Sequence, residues 1–243
     1  IDMRILKNLA IFCVFAISNN VFATGAGSVP KENDYYANYY DDTENSLLFK
    51  IRGFYAGTNA KMSSLPAPTT AGAAKPGKLA QQGYGFDTAM TIFVTDNIAA
   101  EVSLGLGFYK TKSSALLDAA TAYGSGTSSL GKRNQIFIVP VTLSAQYHAA
   151  PYGGLRPYVG VGLNGTYMHT RSRAIKVDSG FGPVLQAGVD FISKDDTLFT
   201  LDIRQYLLKS KVKFKKGYLG TDGISSKVTW NPIVVSAGFG FKF

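Results

Sequence analysis

Seven charged residues of this chain lie inside segments that otherwise alternate between apolar and small side chains: Lys50, Arg52, Glu101, Asp190, Asp202, Arg204 and Lys242. Charges enclosed away from water need partners, so four cations facing three anions predict a paired network. Asp87 belongs to the same class, and no partner for it is legible. Catalytic constellations are poorer. His148 and His169 are the only histidines and fall in different segments, which argues against a shared metal site. A hydrolase could use His169 with Ser172, but neither a nucleophile elbow nor an orienting acid accompanies them, so the chain does not read as an enzyme. Gly160-x-Gly162-x-x-Gly165 matches a dinucleotide pattern, yet Tyr167-Met-His-Thr170 continues an alternating strand where a helix is required. No cofactor and no metal is implied.

The elements that must hold these charges are strands. Ile233, Val235, Ala237, Phe239, Phe241 and Phe243 share one face of an extended segment, and Ser236, Gly238, Gly240 and Lys242 share the other. Eight such segments are predicted: Leu47–Ala60, Gly83–Thr95, Ile98–Tyr109, Gln135–Tyr147, Arg156–Met168, Phe181–Ile192, Leu198–Phe214 and Lys227–Phe243. Each meets the ~9–11 residues that a tilted membrane-crossing strand needs. A soluble lipocalin-like barrel would turn its apolar side chains inward. Here the wholly apolar parity includes Phe243, and the other parity carries the charges. The fold class is therefore all-β, an eight-stranded antiparallel up-and-down transmembrane barrel.

The N-terminus suits export. Met3-Arg4 and Lys7 form a basic stretch, Leu9 to Ile17 is apolar, and Val21-Phe22-Ala23 is a small-x-small cleavage site. Residues 1–23 read as a signal peptide, 24–46 as a polar, acidic, tyrosine-rich leader, and 47–243 as the barrel. Cleavage after Ala23 removes Cys13, the single cysteine, so no disulfide framework is possible. The net charge is +9, with the lysines and arginines dispersed except for Lys209, Lys211, Lys213, Lys215 and Lys216. That cluster reads either as attraction to anionic lipopolysaccharide or as a solvated loop stem. An exported chain leaves no role for nucleic acid.

Connection lengths set the orientation. Thr95–Ile98, His148–Leu155 and Ser193–Thr197 are short, and Lys61–Gln82, Lys110–Asn134, Thr170–Gly180 and Lys215–Ser226 are long. Short turns face the periplasm and long loops the exterior. On this orientation Lys50, Arg52, Glu101, Asp190, Asp202, Arg204 and Lys242 form a periplasmic plug. The outer half of the lumen is then lined by Phe54, Tyr109, Ile136, Ile138, Met168, Tyr206, Leu208, Trp230 and Val234, an apolar ligand pocket. Pro140, Pro183 and Pro232 interrupt strands, each removing a ladder donor. Pro140 and Pro232 mark a lateral exit beside that pocket.

Thr95-Asp-Asn-Ile98, Arg156-Pro-Tyr-Val-Gly-Val-Gly-Leu-Asn164, Gly182-Pro-Val-Leu-Gln-Ala-Gly-Val-Asp-Phe191 and Asn231-Pro-Ile…Ala-Gly-Phe-Gly-Phe-Lys-Phe243 together resemble the OmpW/AlkL family of small outer-membrane barrels. The resemblance runs from about Leu47 to Phe243. It implies a monomeric barrel with a hydrophobic lumen, associated with uptake of small apolar molecules. The loop Lys61–Gln82 and the acidic leader have no counterpart in the family pattern, so the ligand does not transfer. The expected function is passage of small hydrophobic molecules from outside into the outer membrane, with lipid, lipopolysaccharide and an apolar ligand as partners. The alternative is a filled barrel that only displays loops, as an adhesin or receptor does.

Overall fold

The structure is a computed structural model that describes residues 46–58, 61–62, 80–111, 135–149, 154–170, 175–193, 197–214 and 225–243. The expected signal peptide (1–23), nearly all of the expected leader (24–46) and most of each long loop lie outside the described residues. In chain order the strands are β1 (Leu47–Gly57), β2 (Lys61–Met62), β3 (Ala80–Phe93), β4 (Ile98–Thr111), β5 (Gln135–His148), β6 (Leu155–Thr170), β7 (Ile175–Val177), β8 (Gly180–Ile192), β9 (Thr197–Tyr206), β10 (Lys209–Phe214), β11 (Ser225–Thr229) and β12 (Ile233–Lys242). Every pairing is antiparallel. The sheet closes because β1 pairs both β3 and β12, while β9 pairs both β8 and β12. The result is a closed eight-stranded barrel, in which β7, β10, β11 and β2 extend the wall beyond the long-loop end.

Strand alternation sorts the side chains. Ile51, Phe86, Leu104, Leu143, Val161, Leu185 and Phe239 are exposed on the outer surface, and their neighbours in sequence are enclosed. An apolar outside is what a hydrocarbon solvent demands, since lipid gives no hydrogen bonds to polar groups and closure leaves no edge to satisfy. The first short turn is fixed locally. Val94 and Thr95 donate their backbone N–H to the Ile98 carbonyl, and the Thr95 hydroxyl accepts from the Ile98 N–H at 3.0 Å. Asn97 ties this turn to the next strand pair by donating to the His148 carbonyl at 2.8 Å.

The two last predicted strands are not continuous. Leu198–Phe214 breaks at Leu207–Leu208 and Lys227–Phe243 at Trp230–Pro232. Pro232 has no N–H for the ladder, and Asn231 sits at φ 37°, a left-handed conformation that turns the chain out of register. Leu207 then donates to the Pro183 carbonyl and Trp230 to that of Leu208, which keeps the wall sealed across the break.

Glycines inside the bore make room for aromatic rings. Gly188 faces Tyr158 in register, and a Cβ on it would lie 2.5 Å from the phenol. Gly85 faces Phe54, whose ring tip would be 2.7 Å from a Cβ there. Gly188→Val should therefore lower barrel stability by about 1–3 kcal/mol, the usual cost of overpacking. The loss of the heat-resistant band at a lower temperature would register it; an unchanged transition would mean that both Tyr158 and the backbone at Leu201 can give way.

Candidate functional site: a three-layered barrel interior

From the short-turn end upward, the interior has three layers. The lowest is apolar, with Leu48, Phe93, Ala99 and Leu198 packed together. His148 lies against it, edge-on to Phe93 and stacked on Tyr158, with centroids 4.8 Å apart in each case. Sequence reasoning set the charged plug at this end; the structure places an apolar floor beneath it. Arg156 was also missed. It is buried, donates to the Asp96 carbonyl and lies 4.5 Å over the Phe93 ring.

The middle layer is the charge network. Lys50 Nζ meets Asp190 at 3.0 Å. Arg52 Nε donates to Asp87 at 2.6 Å, and its Nη2 lies 3.4 Å from Glu101. Arg204 reaches Asp87 at 3.0 Å and Glu101 at 3.6 Å, while its Nε lies 2.8 Å from Asp202 as an ion pair rather than a directed hydrogen bond. Neutral groups complete it. Tyr158, Gln186 and Ser236 donate to Asp202 at 2.9, 2.8 and 3.1 Å, and Thr91 donates to Glu101 at 3.0 Å.

Two of the charged residues behave differently from expectation. Asp87, for which no partner was legible, bridges both arginines. The reason is register: Asp87 stands directly opposite Arg52 between β1 and β3, a pairing that parity alone cannot reveal. Lys242 is half-buried at the strand end opposite Leu48, not enclosed with the network. Its place in the charge balance falls to Arg156, which stands opposite Asp190 between β6 and β8. Among the described residues, four buried cations then balance four buried anions.

The top layer is a partly open hollow with a free volume of about 30 Å3, or about 510 Å3 when its open solvent is counted. Phe54, Tyr109, Ile138, Met168, Tyr206, Leu208, Trp230 and Val234 line it, with Asp87 and Arg204 at its floor. Ile136 is fully buried but does not line it. Trp230 is the largest fully buried side chain of the described residues. Its ring lies 5.9 Å from that of Tyr109, and its indole N–H donates to Ser210 at 2.7 Å.

Pro140 and Pro232 both reach this hollow. Between β4 and β5 the ladder runs from Leu104↔Val141 to Gly107↔Ile138, and the positions between, opposite Val139 and Pro140, are unpaired. At the β9–β12 break the gap is covered by a side chain that sequence reasoning overlooked. Gln205 Nε2 points at the carbonyls of Tyr206, Asn231 and Pro232, at 3.0, 3.3 and 3.2 Å. A glutamine on the lipid-facing parity of β9, after Phe199, Leu201 and Ile203, was the available signal.

An apolar exterior, a closed antiparallel sheet and an interior of buried, paired charges define a small outer-membrane β-barrel protein. The comparisons agree. The model of the OmpW family matches residues 46–243, and the chain belongs to that family. It is 42% identical over 243 residues to a "Putative outer membrane protein" of Rickettsia conorii, covering 99% of this chain and 100% of that one. It is 29% identical over 124 residues to the dibenzothiophene metabolism operon protein PahQ of Pseudomonas aeruginosa, covering 49% of this chain and 57% of that one. The crystal structure of OprG from Pseudomonas aeruginosa superposes with a TM-score of 0.65 at 18% identity, covering 84% of this chain and 98% of that chain, a likeness of fold.

Proposed function

We propose that this barrel passes small hydrophobic molecules from the exterior into the outer membrane, through the apolar hollow and out sideways through its wall. The observation that carries the reading is the layering: a hollow lined by apolar side chains stands directly on a charge network, and both proline-interrupted wall segments border it, the one at Pro140 with unpaired ladder positions. A molecule entering between the long loops gains by leaving water at about 25 cal/mol per Å2 of apolar surface. Continuing downward would break paired charges and then open the apolar floor. Moving sideways beside Pro140 or Pro232 delivers it to hydrocarbon instead. The name of the PahQ relative refers to dibenzothiophene, a fused-ring apolar compound of the class that would fit such a route.

The free volume of about 30 Å3 favours the competing reading, a filled barrel that displays its loops, because it holds a water or two and no larger guest. Transport therefore requires Trp230 to swing aside. Vesicles carrying lipopolysaccharide, with or without the reconstituted protein, decide between the two. The protein should speed entry of the apolar dye N-phenylnaphthylamine into the bilayer; equal rates with and without it would leave display as the function.

The exit can be located separately. Pro140→Val restores a ladder donor between β4 and β5, and is expected to slow dye entry if release occurs there. Gln205→Leu uncovers the carbonyls at the β9–β12 break, and is expected to change the rate if release occurs at that site. If neither variant differs from wild type, release is not lateral at these positions.

A further inference from the structure

We propose that the outward face of β7, β10 and β11 is a docking surface for the phosphorylated headgroup of an outer-leaflet lipid. The register puts like charges side by side. Lys211 stands opposite Lys227 between β10 and β11, and Lys213 opposite Lys176 between β10 and β7. All four are exposed. Residues paired directly across antiparallel strands point to the same face with Cβ atoms about 4.5–5.5 Å apart, and like charges so placed repel. Two adjoining pairs of this kind concentrate positive charge on one face. Asp178, 2.8 Å from Lys213, is the one carboxylate at this end among the described residues.

The asymmetry along the barrel says which kind of anion. Lys110, Lys176, Lys209, Lys211, Lys213 and Lys227 are the exposed cations among the described residues, and all lie toward the long-loop end, which faces the exterior. Lys209 pairs in register with Phe181, an exposed aromatic of the lipid-facing wall. The column Lys209, Lys211, Lys213 thus begins at the apolar belt and climbs about 13 Å away from it at the strand rise per residue. Acyl chains lying on Phe181 and the wall below would bring a headgroup phosphate to the level of these ammonium groups. A free anion would gain the charge but not the apolar contact. This proposal stands independently of the transport reading.

The full-length barrel in zwitterionic detergent micelles is titrated with bisphosphorylated lipid A, with the same lipid dephosphorylated, and with inorganic phosphate, following the temperature at which the folded gel band is lost. Lipid A should raise that temperature, and the other two should not. The double variant Lys176→Glu/Lys211→Glu sets carboxylates opposite Lys213 and Lys227. It should fold at least as stably without lipid, and need at least about ten-fold more lipid A for the same shift. Lys176→Gln/Lys211→Gln should weaken the response in the same direction, which keeps the test open if the charge reversal does not fold. Lys110→Gln, on the opposite wall, should respond as wild type does. A wild-type response from both double variants, an equal shift from the dephosphorylated lipid, or the same shift from inorganic phosphate would each overturn the proposal.

Discussion

Asp202→Asn is expected to destabilise the folded barrel by about 3–5 kcal/mol, the usual consequence of removing one partner from a buried ion pair. Asp202 accepts from Tyr158, Gln186 and Ser236 and lies 2.8 Å from Arg204 Nε, so its charge is spoken for on every side. Asparagine is nearly isosteric and keeps one acceptor, so the loss isolates charge from shape. It leaves the arginines facing only Asp87 and Glu101, in a place where water cannot make up the difference. Arg204→Met should cost a similar amount for the opposite reason, by stranding carboxylates. The double variant should fall short of the sum of the two, because neighbours in one network couple by about 0.5–3 kcal/mol. Urea unfolding in lipid vesicles, followed by the fluorescence of Trp230, measures all three. Unchanged midpoints in both single variants would mean that the network is hydrated and contributes no closure.

The second large effect concerns the hollow. Ile138→Asp and Leu208→Lys each put an unpaired charge on the route that an apolar guest must follow. Pushing such a guest past the charge strips its water, and the penalty exceeds the ~1.4 kcal/mol that corresponds to ten-fold in rate. Dye entry should slow by about ten-fold or more, and the folded gel band in each variant shows that the loss is one of transport and not of folding. Trp230→Ala acts in the other direction. It removes the largest side chain filling the hollow and frees the Ser210 hydroxyl, so entry should quicken. Wild-type rates in all three variants would leave the barrel without a transport route and favour loop display.

Much of this architecture was legible in the sequence because membrane strands obey a strict period of two. The apolar parity of Ile233 to Phe243, and its like in seven other segments, determined strand number, the lipid-facing side and the inward set. Parity follows from the covalent geometry of each strand and needs no partner. It does not say which residue stands opposite which. Asp87 looked isolated because its partner, Arg52, lies on another strand, and only the β1–β3 register brings them together. Lys242 shares the inward parity but sits at a strand end, where tilt lifts it out of the enclosed layer, while Arg156 at the start of β6 falls inside. The apolar floor of Leu48, Phe93, Ala99 and Leu198 gathers residues from four strands and has no sequence signature. Prolines announced where ladder bonds would be missing, through the loss of an N–H. That Gln205 would cover one such gap, and that Trp230 would fill the hollow, depended on closure of the sheet, which sets side chains distant in the chain against each other.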